Sequence, residues 1–201
     1  MSLLLSILGI AVLFFLSTLI QPILVSLEEL SRYEGREVVV KGFVSHYTTW
    51  DEFQIIDLRS GNITTPIFLQ GIVTVHSGDL IEVTGKVQKY EGKWEVFVDD
   101  TKDIVILSHW ENSSTSLWEI ACHPTWFEGL NINVTGYVES LHDKWFILSD
   151  GNYSILVSSR YIDSGVSNGD KVLVYGYFTY EPRYARYIIQ VKNSFHRVIE
   201  I

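Results

Sequence analysis

The amino-acid sequence predicts an all-β protein of two tandem five-stranded β-barrels, preceded by one N-terminal transmembrane α-helix. Three observations predict it: an N-terminal segment without charges, a set of sequence blocks that occurs twice, and apolar residues that alternate with polar ones in both copies. The predicted divisions are a transmembrane signal anchor at 1–27, a first barrel at 28–107, a linker with a short helix at 108–126, and a second barrel at 127–201.

The N-terminal segment is the part that differs most in composition from the rest. Its first 27 residues carry no charged side chain, so all 15 Lys and Arg and all 24 Asp and Glu lie from Glu28 onward. As a helix, residues 3–27 would span roughly 37 Å, enough to cross a bilayer. A cleaved secretory signal would show a basic n-region and a small-x-small cleavage site, and neither is present. An uncleaved signal anchor is therefore favoured over a cleaved signal and over a buried core helix.

The orientation of this anchor is suggested by candidate glycosylation sites rather than by charge. Glu28 and Glu29 nearly cancel Arg32 and Arg36, so the positive-inside rule has little to count. Four N-x-[ST] triplets are typical of a translocated domain. Their acceptors are Asn62, Asn112, Asn133 and Asn152. We therefore expect a single-pass membrane protein whose barrels lie outside the cytoplasm.

An internal repeat predicts the architecture. The matched blocks are 33–44 with 127–138, 53–57 with 146–150, and 78–87 with 169–178. The alternation of residues such as Val38 and Val40 with polar neighbours has the period of a β-strand. Gly42 and Gly136 interrupt two such strands, which is typical of the sharp bends of a small barrel. About five short strands in roughly 75 residues suit a five-stranded barrel.

The first copy also carries motifs of a known family. They are Val38-x-Val40-x-Gly42-x-Val44, Phe53-x-Ile55-x-Asp57 and Gly78-Asp79-x-Ile81-x-Val83-x-Gly85-x-Val87. On these motifs the chain resembles the OB-fold nucleic-acid-binding family of tRNA-anticodon-type and replication-protein-A-type domains. The resemblance covers nearly all of residues 34–107, whereas residues 127–201 are similar but degenerate. Because the motif residues are core and turn positions, the resemblance implies the fold more strongly than the function.

The linker predicts one short helix between the barrels. Ser116 and Glu119 have the spacing of a capping box, and His123-Pro124 would end the helix that follows. Three tryptophans of this segment are expected to pack against the barrels. They are Trp110, Trp118 and Trp126.

Candidate ligand-binding residues are aromatic and basic side chains, because single-strand binders on this fold combine a positive groove with stacking platforms. In the first barrel they are Tyr47, Trp50, Phe68, Lys86, Lys89, Tyr90 and Trp94. In the second barrel they are Trp145, Tyr180, Arg183, Tyr184 and Arg186. The competing interpretation is that half of the aromatic rings fill the cores while the charges solvate the rims.

Net charge and the absence of enzyme motifs determine how we rank the functional hypotheses. A formal net charge of −9 at pH 7 opposes generic binding to phosphate backbones. We therefore expect first a membrane-anchored binding or scaffold protein that contacts a protein or glycan, second a membrane-tethered single-stranded nucleic-acid binder, and third a structural subunit of a membrane or filament assembly. No protease, hydrolase, P-loop or dinucleotide motif appears, so no enzyme and no cofactor is expected. Cys122 and His123 form only one pair of ligands, so no metal is expected either.

Overall fold

The computed structural model describes residues 6–7, 9–10, 22–159 and 165–201. Most of the described chain lies in two sheets, and each sheet contains a closed five-stranded barrel. The strands of the first sheet are β1 (Ile23–Leu24), β2 (Glu37–Thr49), β3 (Phe53–Ser60), β4 (Ile63–Gln70), β5 (Leu80–Tyr90), β6 (Lys93–Val98) and β7 (Ile104–Ser108). The strands of the second are β8 (Asn131–His142), β9 (Trp145–Ser149), β10 (Ser154–Ser159), β11 (Lys171–Glu181), β12 (Arg186–Val191) and β13 (Arg197–Glu200).

The two barrels have the same strand order. The first closes in the order β2-β3-β4-β6-β5-β2 and the second in the order β8-β9-β10-β12-β11-β8. In each barrel the third and fifth strands pair in parallel, and the other neighbours pair antiparallel. This closed Greek-key order is that of an OB-type barrel. The prediction of two tandem OB-type barrels is confirmed.

Alternating side chains build a separate core in each barrel. Along β3, for example, every second residue from Gln54 to Leu58 is buried while its neighbours are half-exposed. Val38 and Val40, which suggested the strand period, are both fully buried in the first core. Phe146 and Phe178 are the largest fully buried side chains of the second core. The period-two pattern therefore identifies the side chains that point into the core of each barrel.

The glycines of the repeat are needed where one strand bends over its neighbour. A Cβ atom on Gly42 would lie 2.5 Å from the carbonyl oxygen of Arg59, and one on Gly136 would lie 2.9 Å from that of Ser149. Neither distance accommodates a methyl group without movement of the paired strand. Both barrels therefore use glycine at the same corner.

The Gly-Asp pair of the repeat is a turn that the aspartate closes. The Asp79 carboxylate accepts the backbone N–H of His76 at 2.9 Å, and the Asp170 carboxylate accepts that of Ser167 at 2.6 Å. The carbonyl oxygen of each aspartate also accepts the N–H of a valine in the first strand of its barrel, Val44 or Val138. Aspartate is favoured here because it satisfies backbone donors that the turn leaves unpaired.

One matched block was out of register. Val44 pairs with Leu58 in the first barrel and Val138 pairs with Leu148 in the second, so Phe146 corresponds to Ile56 rather than to Phe53. Asp57 and Asp150, which the repeat had paired, are therefore not equivalent. The cause is a longer first hairpin, whose strand β2 shifts register after Val44.

The boundary of the predicted transmembrane helix also needs correction. Ile23–Leu24 is a strand that pairs with β2, and Leu27–Tyr33 is a 3₁₀ helix. Val25 and Leu27 are buried in the first core. These apolar residues belong to the barrel, because hydropathy alone does not separate a buried core segment from a lipid-facing one. Residue 28 is therefore not the start of the first barrel.

The rest of the predicted anchor falls largely outside the described residues. Of residues 1–21, only Ser6, Ile7, Gly9 and Ile10 are described, and these four are helical. Within the described part of the chain, no helix is both long enough and apolar enough to span a membrane.

The linker contains a 3₁₀ helix (Trp110–Asn112) and two short α-helices, α1 (Leu117–Cys122) and α2 (Pro124–Phe127). The predicted capping box is present: Ser116 Oγ accepts the N–H of Glu119 at 3.2 Å, and the Glu119 carboxylate accepts the N–H of Ser116 at 3.1 Å. The helix ends at Cys122, as predicted, before the Pro124 that begins α2.

The three tryptophans of the linker have different environments. Trp110 is buried, whereas Trp118 and Trp126 are exposed. Trp126 stacks on His123 with ring centroids 4.0 Å apart. The expectation that all three pack against the barrels is therefore wrong for Trp118, which lies on the outer side of α1.

The barrels also touch each other directly. Ser77 Oγ donates a hydrogen bond to the carbonyl oxygen of Gly129 at 2.9 Å, and the Arg59 guanidinium donates to the carbonyl oxygen of Glu128. Phe43 of the first barrel packs against the core of the second. These contacts give the tandem a defined interface in addition to its covalent linker.

Candidate nucleic-acid interface

A groove of about 570 Å³ crosses the outer face of the second barrel. Its residues come from the end of β8, the β8–β9 loop, strands β9 and β10, the β11–β12 loop and the start of β12. They are Ser140, Lys144, Trp145, Ile147, Leu156, Ser158, Tyr184 and Arg186. In OB-type barrels, the face of the second and third strands between these two loops is where oligonucleotides and oligosaccharides bind.

The floor of the groove consists of two cross-strand pairs. Ile147 of β9 lies opposite Leu156 of β10, and Trp145 lies opposite Ser158. Their sequence neighbours, such as Phe146, point into the barrel core and are fully buried. Strand alternation thus places one aromatic and two aliphatic side chains on the outer face.

The Trp145 ring is supported from one side. His142 stacks on it with ring centroids 3.9 Å apart and an interplanar angle of 28°. The loop that carries His142 is held by a hydrogen bond from the Leu141 N–H to Asn168 Oδ1 at 2.8 Å. Trp145 remains partly exposed along the groove. An indole ring held in this way presents a fixed platform for a flat ligand.

The charge of the groove is opposite to that of the whole chain. Lys144 and Arg186 line it, and its lining includes no carboxylate. Among the described residues neither of these cations takes part in an ion pair. Lysine and arginine donate hydrogen bonds and accept none, so the groove is a donor-rich site.

Two predicted residues of the same hairpin lie outside the groove. The Arg183 guanidinium is paired with Glu181, with Nε and Oε1 at 2.9 Å, and this contact lowers the pKa of the Glu181 carboxyl. Tyr180 packs edge-on against Tyr187, with ring centroids 5.3 Å apart. The structure therefore brings together Trp145, Tyr184 and Arg186 but not Tyr180 or Arg183.

A column of aromatic rings lies on the outside of the first barrel. Trp50 stacks on Phe53, Phe53 on Phe68 and Phe68 on Phe97, with centroid distances of 4.5, 5.3 and 5.6 Å. The interplanar angles are 14°, 18° and 8°, so each inner ring is covered on both faces. The column contains the predicted Trp50 and Phe68: the inner ring of Phe68 stabilises the sheet, whereas Trp50 ends the column and is 43% exposed.

The remaining predicted residues of the first barrel do not form one site. Lys89 Nζ lies 5.4 Å from the centroid of the Trp94 ring, near the exposed Tyr90 at the β5–β6 turn. Lys86 borders a small pocket together with carboxylates, among them Asp99. The last residue, Tyr47, is exposed at the end of β2.

Four groove residues carry no prediction from the sequence beyond their strand or loop: Ser140, Ile147, Leu156 and Ser158. Lys144 was also missed, although it directly precedes Trp145 in a hairpin loop. That adjacency of a cation and an aromatic ring was the one local signal available. The others are ordinary strand residues whose position on the binding face depends on register.

The candidate glycosylation sites differ in accessibility. Asn62, Asn112 and Asn152 are exposed at turns, and Asn62 Oδ1 accepts a hydrogen bond from Thr125. Asn133 is only 3% exposed, and its Nδ2 donates to the carbonyl oxygens of Trp110 and Glu111. A glycan on the Asn133 nitrogen is incompatible with this fold, so that prediction is withdrawn.

Comparisons with known proteins give solved structures of low similarity. No protein-family model and no curated protein matches the sequence. Among solved structures, the chain is 17% identical to asparaginyl-tRNA synthetase from Pyrococcus horikoshii, with a TM-score of 0.37, over 42% of this chain and 23% of the synthetase. It is 11% identical to fission yeast Pot1 in a crystal structure with ssDNA, with a TM-score of 0.32, over 88% of this chain and 87% of Pot1.

A further match is OBody AM3L09, solved bound to hen egg-white lysozyme. It is 22% identical with a TM-score of 0.35, over 42% of this chain and 94% of the OBody. The class of the present protein follows from its own strand order: it is a protein of two tandem OB-type barrels.

Proposed function

We propose that this protein binds single-stranded nucleic acid through the groove of its second barrel. The observation that carries the proposal is the lining of that groove, where Trp145, Lys144 and Arg186 stand together without a carboxylate in a chain of net charge −9. Single strands are bound by aromatic rings on which bases stack and by cations that follow the backbone. The groove supplies both within one surface.

The donor set of the groove favours nucleic acid over the glycan or protein partner that we expected first. Sugar hydroxyls both donate and accept hydrogen bonds, so a glycan site needs acceptors as well as donors. The side chains here offer cationic donors from Lys144 and Arg186, whereas the acceptors are three hydroxyls, those of Ser140, Ser158 and Tyr184, with no carboxylate or amide among them. Phosphate oxygens need donors alone. An anionic strand therefore matches the lining better than a neutral sugar does.

Negative net charge opposes this proposal through the carboxylates that lie near the groove, such as that of the exposed Glu139, which is the cross-strand partner of Ile147. Phosphate contacts depend on the potential near the groove, because exposed charges more than about 8–10 Å away are screened at physiological salt. We therefore expect binding that is modest in affinity and weakens with salt, with a shallow slope because few cations contribute.

Replacing Trp145 by alanine tests the stacking platform. We expect the affinity for a fluorescent oligo-dT or oligo-rU to fall by about 1–3 kcal/mol, roughly 5- to 150-fold, in fluorescence anisotropy. Lys144→Gln and Arg186→Gln should each weaken binding and reduce the slope of log K against log salt by about 1. Trp118→Ala is the matched control, because Trp118 is exposed on α1 away from the groove. Equal affinities of the Trp145→Ala variant and the unmodified protein would overturn the proposal.

We also propose that the barrels are tethered to a membrane by the residues that precede Pro22. This rests on composition, because that segment is uncharged and almost wholly apolar. About 20 apolar residues suffice for a transmembrane helix, so the assignment of residues 23–27 to the barrel leaves room for one. Location of the barrels outside the cytoplasm stays a prediction from the glycosylation triplets.

Protease protection tests the tether and its orientation together. We expect the chain to sediment with membranes, and external protease on intact cells to digest the barrels. Glycan mass should appear on Asn62, Asn112 or Asn152 and not on the buried Asn133. Digestion only in inside-out vesicles would instead place the barrels in the cytoplasm, and recovery in the soluble fraction would contradict the tether.

A further inference from the structure

Two histidines and one buried aspartate converge beside the barrel interface. His76 and Asp79 belong to the turn before β5, and His109 lies just after β7. Asp79 Oδ2 is 3.7 Å from His76 Nδ1 and 3.3 Å from His109 Nδ1. One ligand atom from each residue lies within 4.8 Å of the other two. We propose that these three side chains form a Zn²⁺ site, with a water molecule as the fourth ligand.

The charge of Asp79 provides the first argument. Its side chain is fully buried, and within the described residues its only ion-pair partners are the two histidines. Buried charges in proteins are paired or coordinate a metal, because an isolated carboxylate is costly to remove from water. A divalent cation held between the Asp79 carboxylate and the two imidazole nitrogens compensates that charge.

The turn itself does not require the histidines, which is the second argument. Asp170 closes the equivalent turn of the second barrel by the same backbone contact, with Ser167 where the first barrel has His76. The aspartate therefore has a structural role in both barrels, whereas the two imidazoles are found only in the first. His109 reaches the same carboxylate oxygen from a separate segment of the chain.

The geometry suits a small tetrahedral ion. Ligands that bind Zn²⁺ at about 2.0–2.1 Å stand about 3.4 Å apart, close to the two separations from Asp79 Oδ2. Asp79 Oδ2 accepts the backbone N–H of His76 and is 3.3 Å from His109 Nδ1, and Oδ1 accepts the N–H of Trp110 at 3.0 Å. The metal would replace the contact between Oδ2 and His109 and would leave both backbone hydrogen bonds in place. Both imidazoles are partly exposed and are free to close the remaining distance.

Zinc at this position would join two segments of the molecule, and both lie next to the second barrel. It connects the turn of the first barrel to the start of the linker, where the buried Trp110 contacts Tyr175 of the second barrel. The exposed Phe195 of the second barrel lies 5.9 Å from the His76 ring, measured between centroids. The ion therefore acts as a structural clamp on the inter-barrel contact, separate from the proposed nucleic-acid groove.

Zinc titration of the full chain, solubilised in detergent and free of a histidine tag, tests the site. We expect one Zn²⁺ per chain by isothermal titration calorimetry, and a thermal midpoint that rises with zinc concentration. His76→Gln and His109→Gln should each weaken zinc affinity at least 10-fold and abolish the thermal shift. Both positions are partly exposed, so the variants are expected to fold.

His46→Gln is the matched control, because His46 is an exposed histidine of the same barrel. It should leave the affinity for zinc and the thermal shift unchanged, and His76→Gln should leave oligonucleotide binding unchanged. The proposal is overturned if the unmodified chain binds no zinc, if the His76 and His109 variants retain full affinity, or if the His46 variant loses as much affinity as they do.

Discussion

Replacement of Trp110 by alanine is expected to lower the free energy of unfolding by about 3–5 kcal/mol, the usual cost of deleting a buried tryptophan. Trp110 is 3% exposed and contacts both Tyr175 and His196 edge-on, with centroids 5.9 Å away in each case. Its Cβ lies so close to Gly78 that a methyl group there would stand 2.9 Å from it. The loss of stability therefore comes from weaker contact between the two barrels.

This location predicts the form of the unfolding curve as well as its midpoint. Trp110 belongs to neither barrel core, so each barrel of the variant keeps its own apolar cluster. In urea, the unmodified chain should unfold at one midpoint by circular dichroism and by tryptophan fluorescence, whereas the variant should show two separate midpoints. Trp118→Ala removes an exposed tryptophan of the same linker and should change stability by less than about 1 kcal/mol. Coincident and unshifted transitions in the Trp110 variant would show that the barrels are not coupled through this side chain.

The features that the sequence predicted well are those set by local chemistry. Gly42 and the Gly78-Asp79 pair recur because a barrel corner excludes a side chain and because its turn needs a carboxylate acceptor. The same requirement operates in both barrels, so the repeat was visible despite its degenerate second copy. The capping box at Ser116 is equally local and was predicted with its helix.

The wrong predictions concern features that depend on strand register or on long-range packing. Phe53 was matched with Phe146, although one lies on the outside of its barrel and the other is fully buried. A shift of one strand position exchanges the two faces, and a longer hairpin produces such shifts without a change in composition. Val25 and Leu27 were assigned to a lipid-facing helix because hydropathy does not reveal what surrounds an apolar residue.

The sequence predicted the types of residue that line the candidate site, but not which individual residues do so. Aromatic and basic residues near Trp145 pointed to the hairpins that border the groove, yet Arg183 is paired with Glu181 while Lys144 lines the groove. Which of several nearby cations faces a groove depends on the turn that carries it. Net charge has a similar limit, because a sum over the chain contains no information about where the carboxylates lie.

Acidification is expected to weaken the interface that Trp110 helps to form, through His196. This histidine is 6% exposed and packs edge-on against Trp110. Its Nδ1 accepts the backbone N–H of Lys192 at 3.3 Å, and its Nε2 lies 3.1 Å from Asn131 Oδ1. These partners select the neutral imidazole with the proton on Nε2. Burial and, secondly, the nearby Lys192 charge lower the pKa of His196 to about 4.

The direction of the pH effect follows from that lowered pKa. Unfolded histidine titrates near pH 6.5, so between about pH 6.5 and pH 4 the unfolded chain binds a proton that the folded chain does not. The stabilisation associated with neutral His196 is thus complete above pH 6.5 and is lost progressively as the pH falls towards 4. A shift of this size corresponds to up to about 3 kcal/mol.

Comparison of His196→Gln with the unmodified chain isolates this contribution. Urea midpoints measured from pH 7.5 to pH 4.5 should fall steeply for the unmodified chain below pH 6.5 and much less for the variant. The variant should also be less stable at pH 7.5, because glutamine does not reproduce the contact with Trp110. His46→Gln removes an exposed histidine, and the urea midpoint of this variant should still fall steeply below pH 6.5. Parallel pH profiles of the His196 variant and the unmodified chain would show that His196 does not control acid stability, since only a buried neutral imidazole produces the difference in slope.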